Sequence, residues 1–106
     1  MSEAIKHDSG KERFDLLPQG PLFEVARVYT IGAAKYGDYN WAKGFAFSRV
    51  FAAMMRHAWK FWRGESIDTE DGQQHLASVV WCAMTLMHFD THQEKYKQFD
   101  DRPICD

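Results

Sequence analysis

Between Arg56 and Ser78 the chain reads RHAWKFWRGESIDTEDGQQHLAS, and no other stretch limits the fold as much. It starts inside a run of helical period, breaks at Gly64, crosses a connector carrying Glu65, Asp68, Glu70 and Asp71, and enters a second helical run. A short connector makes consecutive helices neighbours, so His57 on the first and His75 on the second are expected to face each other. Arg56, Lys60 and Arg63 add three cations ahead of the break. Carboxylates hold a hard divalent cation, imidazoles can join them, and cations hold the charge of a phosphorylated substrate. The stretch therefore predicts a metal-assisted phosphoryl site.

Apolar period marks three helices. The first is expected from about Pro21 to Tyr36, with proline at the first helical position and Gly37 as the stop. Leu22, Val25, Ala26, Tyr29 and Ala33 give its buried face. The second runs from Phe47 or Ser48 to Arg63, with Ser48 as N-cap. Val50, Met54, His57 and Phe61 form an apolar stripe, and Arg49, Arg56, Lys60 and Arg63 a cationic stripe beside it, so His57 sits on the seam. The third starts near Asp68 or Thr69, where Asp68 and Asp71 suit a helix start. Leu76, Val79, Val80, Ala83 and Met87 point inward, with His75, Ser78 and Cys82 on the flank.

The expected fold is all-α, a small bundle of three main helices with an irregular N-terminal arm, completed by oligomerisation. Residues 1–20 form the arm, packing on the body through Phe14, Leu16 and Leu17; residues 21–95 form the helical domain, and 96–106 a polar tail. A length of 106 residues allows one domain with one modest core. Sixteen aromatic residues suit a core completed by a second subunit or a pocket that stacks on a flat ligand. A net charge of −2 argues against a binder of nucleic-acid polymers. Cys82 and Cys105 have no motif spacing, which fits a reduced, cytoplasmic protein. No apolar run approaches the roughly 18 residues of a membrane span, and no signal peptide is recognisable, so no membrane partner is expected.

Several of these features also have a plain structural reading. In KYGDYNWAKG, residues 35–44, Trp41 and Asn40 can stack on and pair with a nucleobase, or cap the core and satisfy a turn. Glu24 is a dipole partner or surface acid, or else a metal ligand. His88 and His92 have the one-turn spacing of a helical metal pair, yet no carboxylate accompanies them, and both read as solvent-exposed. Lys11 and Arg13 sit two apart in the arm, so an extended backbone aims both the same way.

Taken together, DSGKERFDLLP, KYGDYNW, the Arg56-His57 pair and GESIDTEDGQQHLAS resemble the phage and prophage dATP/dGTP diphosphohydrolase family, the MazZ-type branch related to MazG-like all-α nucleotide pyrophosphohydrolases. The likeness runs from residue 8 to about 88, in order. It implies hydrolysis of a purine deoxynucleoside triphosphate, dATP or dGTP, to monophosphate and pyrophosphate, with Mg²⁺ or Mn²⁺, in a homodimer or homotetramer. The family's GExxD falls on Glu65 and Asp68, its RH on Arg56 and His57, and the start of its HLAH on His75. The second histidine of HLAH is Ser78 here, and the paired acidic signatures of the wider MazG-like group are absent.

On this resemblance Glu65, Asp68, His57 and His75 hold metal, and both imidazoles favour Mn²⁺ over Mg²⁺. Glu65 and His57 serve the catalytic step with Glu70 as a candidate general base. Arg56, Lys11 and Arg13 take the phosphates, while Asn40 and Trp41 hold the base. Ser78 supports an alternative, a non-catalytic nucleotide-sequestering protein of the same fold. The hydrolase reading requires the Glu65 carboxylate and the His75 ring to lie together.

Overall fold

Three long helices and one short one carry the chain: α1 (Gln19–Tyr36), α2 (Phe47–Trp62), α3 (His75–Asp90) and α4 (Gln93–Tyr96). The structure, a computed structural model, describes residues 2–104; Cys105, assigned by sequence to the tail, lies outside them. Short 3-10 turns cover Phe14–Leu16, Asn40–Lys43 and Lys97–Phe99. Among the described residues the only β pairing is a single antiparallel bridge between Ile67 and Gln74, so the all-α expectation holds.

α2 and α3 pack antiparallel, with His57 against His75 at one end and Phe47 stacked 5.9 Å from Phe89 at the other. α1 joins them through Tyr29, whose hydroxyl lies 3.2 Å from that of Thr85 and whose ring lies 5.7 Å from that of Trp81. Phe47, Val50, Cys82, Phe89 and Tyr96 form the core.

Tyr96 opens the stretch expected to be a polar tail, yet it has no exposure, and its hydroxyl donates to the Ala42 carbonyl at 2.5 Å. Phe99 then covers Gly44 so closely that a Cβ there would lie 2.3 Å from its ring, and Gly44 also has φ of +106°, which leaves glycine as the fitting residue. Further on, Asp101 accepts the Ser48 backbone N–H at 2.9 Å and the Ser48 hydroxyl. The start of α2 is therefore satisfied by a distant carboxylate, where the sequence suggests Ser48 itself as the cap. The C-terminal segment is a strap that ties the 40–44 turn to α2.

α3 begins at His75, later than the expected Asp68 or Thr69. Residues 66–75 close as a narrow loop, with Asp68 N–H donating to Gln73 O at 2.7 Å and His75 N–H to Ser66 O at 3.0 Å. The Asp68 and Asp71 carboxylates cap N–H groups inside that loop. The inward face of α3 also differs from expectation. His75, Ala77, Ser78, Cys82, Thr85 and Phe89 are buried, whereas Leu76, Val80, Met84 and Met87 are 41–64% exposed. α3 is apolar on nearly every side, so period alone cannot select its face. Polar partners select it: His75 meets Glu65 and Thr85 meets Tyr29.

The arm is exposed throughout in the single chain, Phe14 at 77% and Leu16 at 69%. Its 3-10 turn is held by a two-pronged pair from Arg13 to Asp15 at 2.8 and 2.7 Å.

Candidate functional site

His57 projects from the last turns of α2, and Gly64, with φ of +101°, turns the chain into the acidic connector. His75 opens α3. Antiparallel packing puts both histidines at the joined end of the hairpin, where their Nδ1 atoms approach to 2.8 Å. The other nitrogen of His75, Nε2, lies 2.6 Å from Glu65 Oε2. Glu65 and His75 are thus in direct contact, as the hydrolase reading requires. The four residues assigned to metal do meet, but as a relay. One ligand atom each from His57, Asp68 and His75 lie within 4.8 Å of one another, and Glu65 stands outside this group on the far edge of the His75 ring.

Asp68 is buried and accepts the Glu70 N–H at 2.9 Å, a bond that holds its carboxyl below the usual carboxylate range. Burial, and then the neighbouring His75, push His57 below the ordinary imidazole value. Metal binding calls for an ionised carboxylate and a neutral imidazole, and the shifts of Asp68 and His57 run in those directions. Sequence reasoning passed over Gln73, buried in the same connector with its backbone carbonyl bound to Asp68 N–H. Among the described residues its Oε1 is the one buried side-chain atom without a hydrogen-bond partner. An orphaned acceptor of this kind calls for a water or an ion. The donor set fits a divalent cation.

A cavity of about 870 Å³ lies between α1, the 37–41 loop, α2 and α3. Its volume suits a small-molecule site. Asn40 and Trp41 line it, as do His57, Asp71 and Ser78, so His57 belongs to both the cavity and the metal-capable group. Trp41 meets Tyr29 edge-on at 5.8 Å and His88 at 5.1 Å, which makes it a cap on the core and a wall of the cavity at once.

The cations divide differently from the sequence assignment. Arg56, Lys11 and Arg13 do not line the cavity, and the Arg13 guanidinium is closed onto Asp15. Arg49 and Lys35 do line it. Arg49 was visible as the first member of the same helical stripe as Arg56; Lys35 opens the KYGDYNW stretch, where no role was assigned to it. Of the connector acids, Asp71 lines the cavity and Glu70 does not. Glu24 pairs with Arg27 at 3.9 Å, as a surface acid does. His92 is exposed and stacked 4.3 Å from the half-buried His88, and no carboxylate joins them in a metal-capable group among the described residues. No described helix is long and apolar enough to cross a membrane.

Comparison with known proteins gives a consistent result. The model of the family described as dATP/dGTP diphosphohydrolase, N-terminal, matches residues 1–102. A dATP/dGTP diphosphohydrolase of Salmonella phage PMBT28 is 38% identical over 76 residues, which is 72% of this chain and 26% of that protein. The chain therefore spans about a quarter of the length of this curated relative. No solved structure matches it.

Proposed function

Because this chain belongs to the dATP/dGTP diphosphohydrolase family, we propose that its helical bundle hydrolyses purine deoxynucleoside triphosphates to monophosphate and pyrophosphate. One observation carries the proposal. The His57–Asp68–His75 group opens through His57 onto the cavity that Asn40 and Trp41 also line. A metal-capable cluster that reaches the cavity through His57, and an indole beside an amide on the same lining, match the two halves of a nucleotide.

Trp41 stacks on the base and Asn40 pairs with its edge. Arg49 and Lys35 take the phosphate charge, Arg49 with the planar fork that suits bidentate binding. Water attacks the α-phosphorus, the bond from that phosphorus to the bridging oxygen breaks, and pyrophosphate leaves. We assign the proton of the attacking water to Asp71, the connector carboxylate on the cavity wall. His57, Asp68 and His75 would hold a divalent cation, which would lower the pKa of a bound water and neutralise phosphate charge; two imidazoles would suit Mn²⁺ better than Mg²⁺.

We further propose a homodimer or homotetramer, and the surface of α3 supports that reading. Leu76, Val80, Ala83 and Met87 recur at steps of four, three and four, and all are exposed. That spacing is the seam of paired helices, and an apolar seam of this kind marks an interface.

Incubation with dGTP or dATP and Mn²⁺, with products separated by anion exchange, tests the reaction. The expected products are the monophosphate and pyrophosphate, with none above background from Asp68→Asn or His75→Ala. Release of orthophosphate, or turnover by both variants at the parent rate, contradicts it. Tight binding without turnover by the parent would favour the sequestering alternative.

A further inference from the structure

We infer that Glu65 is a positioning residue: it fixes the tautomer of the buried His75 ring so that Nδ1 is offered as a lone pair on the side of His57. The inference rests on the metal reading above and changes the role that the sequence motif suggests for Glu65, from ligand to orienter.

An ionised carboxylate can only accept hydrogen bonds. Glu65 Oε2, 2.6 Å from Nε2, therefore puts the His75 ring proton on Nε2. His75 has no exposure, so bulk water does not compete for that nitrogen. In the neutral ring, which carries one proton, Nδ1 is then bare, 2.8 Å from His57 Nδ1. In the metal-free pair His57 must then supply the N–H of the bond between the rings. For His57 to offer Nδ1 to a cation its proton would have to sit on its own Nε2, whereas His75 needs no such change. Glu65 keeps 41% of its side chain exposed, so its charge stays hydrated while one oxygen holds the ring. A carboxylate behind a ligating histidine sets ring orientation and raises ligand basicity, and its loss typically weakens metal binding about 10–100-fold.

The test needs no nucleotide. Long-range ¹H–¹⁵N spectra of the metal-free protein report the His75 tautomer, and calorimetric titration with Mn²⁺ reports affinity. The expected parent tautomer is Nε2–H, retained in Glu65→Gln, whose amide oxygen accepts the same bond, and mixed in Glu65→Ala. Mn²⁺ should bind Glu65→Gln close to the parent, Glu65→Ala about 10–100-fold more weakly, and Asp68→Asn not measurably. A parent ring protonated on Nδ1 overturns the inference, and so does a Glu65→Gln protein that loses Mn²⁺ as completely as Asp68→Asn. Neither result bears on the metal reading itself, which is judged by the parent against Asp68→Asn.

Discussion

His75 shows how far spacing alone can reach. Its approach to His57 and Glu65 was legible, because a helix broken at Gly64 and resumed after a short connector has to fold back on itself. Its division of labour was not legible. Which nitrogen meets which partner depends on ring rotation, and a GExxD pattern carries no record of that. The same limit applies to Asp71 and Glu70, adjacent in sequence, of which only Asp71 lines the cavity. Asp71→Asn is expected to lower kcat by about 10²–10⁴-fold, the usual worth of a general base, with far-UV circular dichroism unchanged. Glu70→Gln should stay near the parent rate; the reverse ranking would return the base to Glu70. Cys82 is 2% exposed and burial raises its thiol pKa to about 11, so it stays protonated near neutrality. Iodoacetamide at about pH 8 should leave Cys82 unmodified in the folded protein and label it once denaturant is added.

At the scale of elements, the helices were legible and their contacts less so. α1 and α2 carry clear stops, but only α2 has a one-sided apolar pattern. Of the face expected for α1, Val25 is buried while Leu22 and Ala26 are exposed. α3 is apolar nearly all round, its buried face set by partners elsewhere in the chain. The C-terminal strap was hidden for a similar reason: Tyr96 and Phe99 sit among charged residues and become core only through Ala42 and Gly44. Tyr96→Phe removes one buried hydrogen bond and should cost about 1 kcal/mol in urea unfolding. It should also raise the nucleotide KM more than it lowers kcat, because the 40–44 turn carries Asn40 and Trp41. Acid should act on the same strap. Arg102 holds the Asp100 carboxyl down at about 2, and the Ser48 hydroxyl and N–H lower that of Asp101. A carboxyl depressed in the folded state contributes stability above its ordinary value of 3.8 and loses it as pH falls toward the folded value. Near-UV circular dichroism should therefore report loosening between about pH 4 and 2, and Asp101→Asn should lose the part of that transition due to Asp101.

For the whole molecule, the radius of gyration of 17.4 Å exceeds the roughly 13 Å of a compact chain of this length. The N-terminal arm, exposed throughout, is in keeping with that extension, and a second copy of the chain is our proposal for the bare α3 seam. Val80→Asp with Met87→Glu should convert the assembly to monomers in light scattering coupled to size exclusion; an unchanged mass would remove α3 from the interface. The central claim, a divalent cation shared by two helices at the head of a nucleotide cavity, has a more direct test. Crystals soaked in Mn²⁺ and measured at the manganese absorption edge should show an anomalous peak bounded by His57 Nδ1, His75 Nδ1 and the Asp68 carboxylate. A map with no peak there, and the two Nδ1 atoms still bonded directly to each other at saturating Mn²⁺, would contradict it.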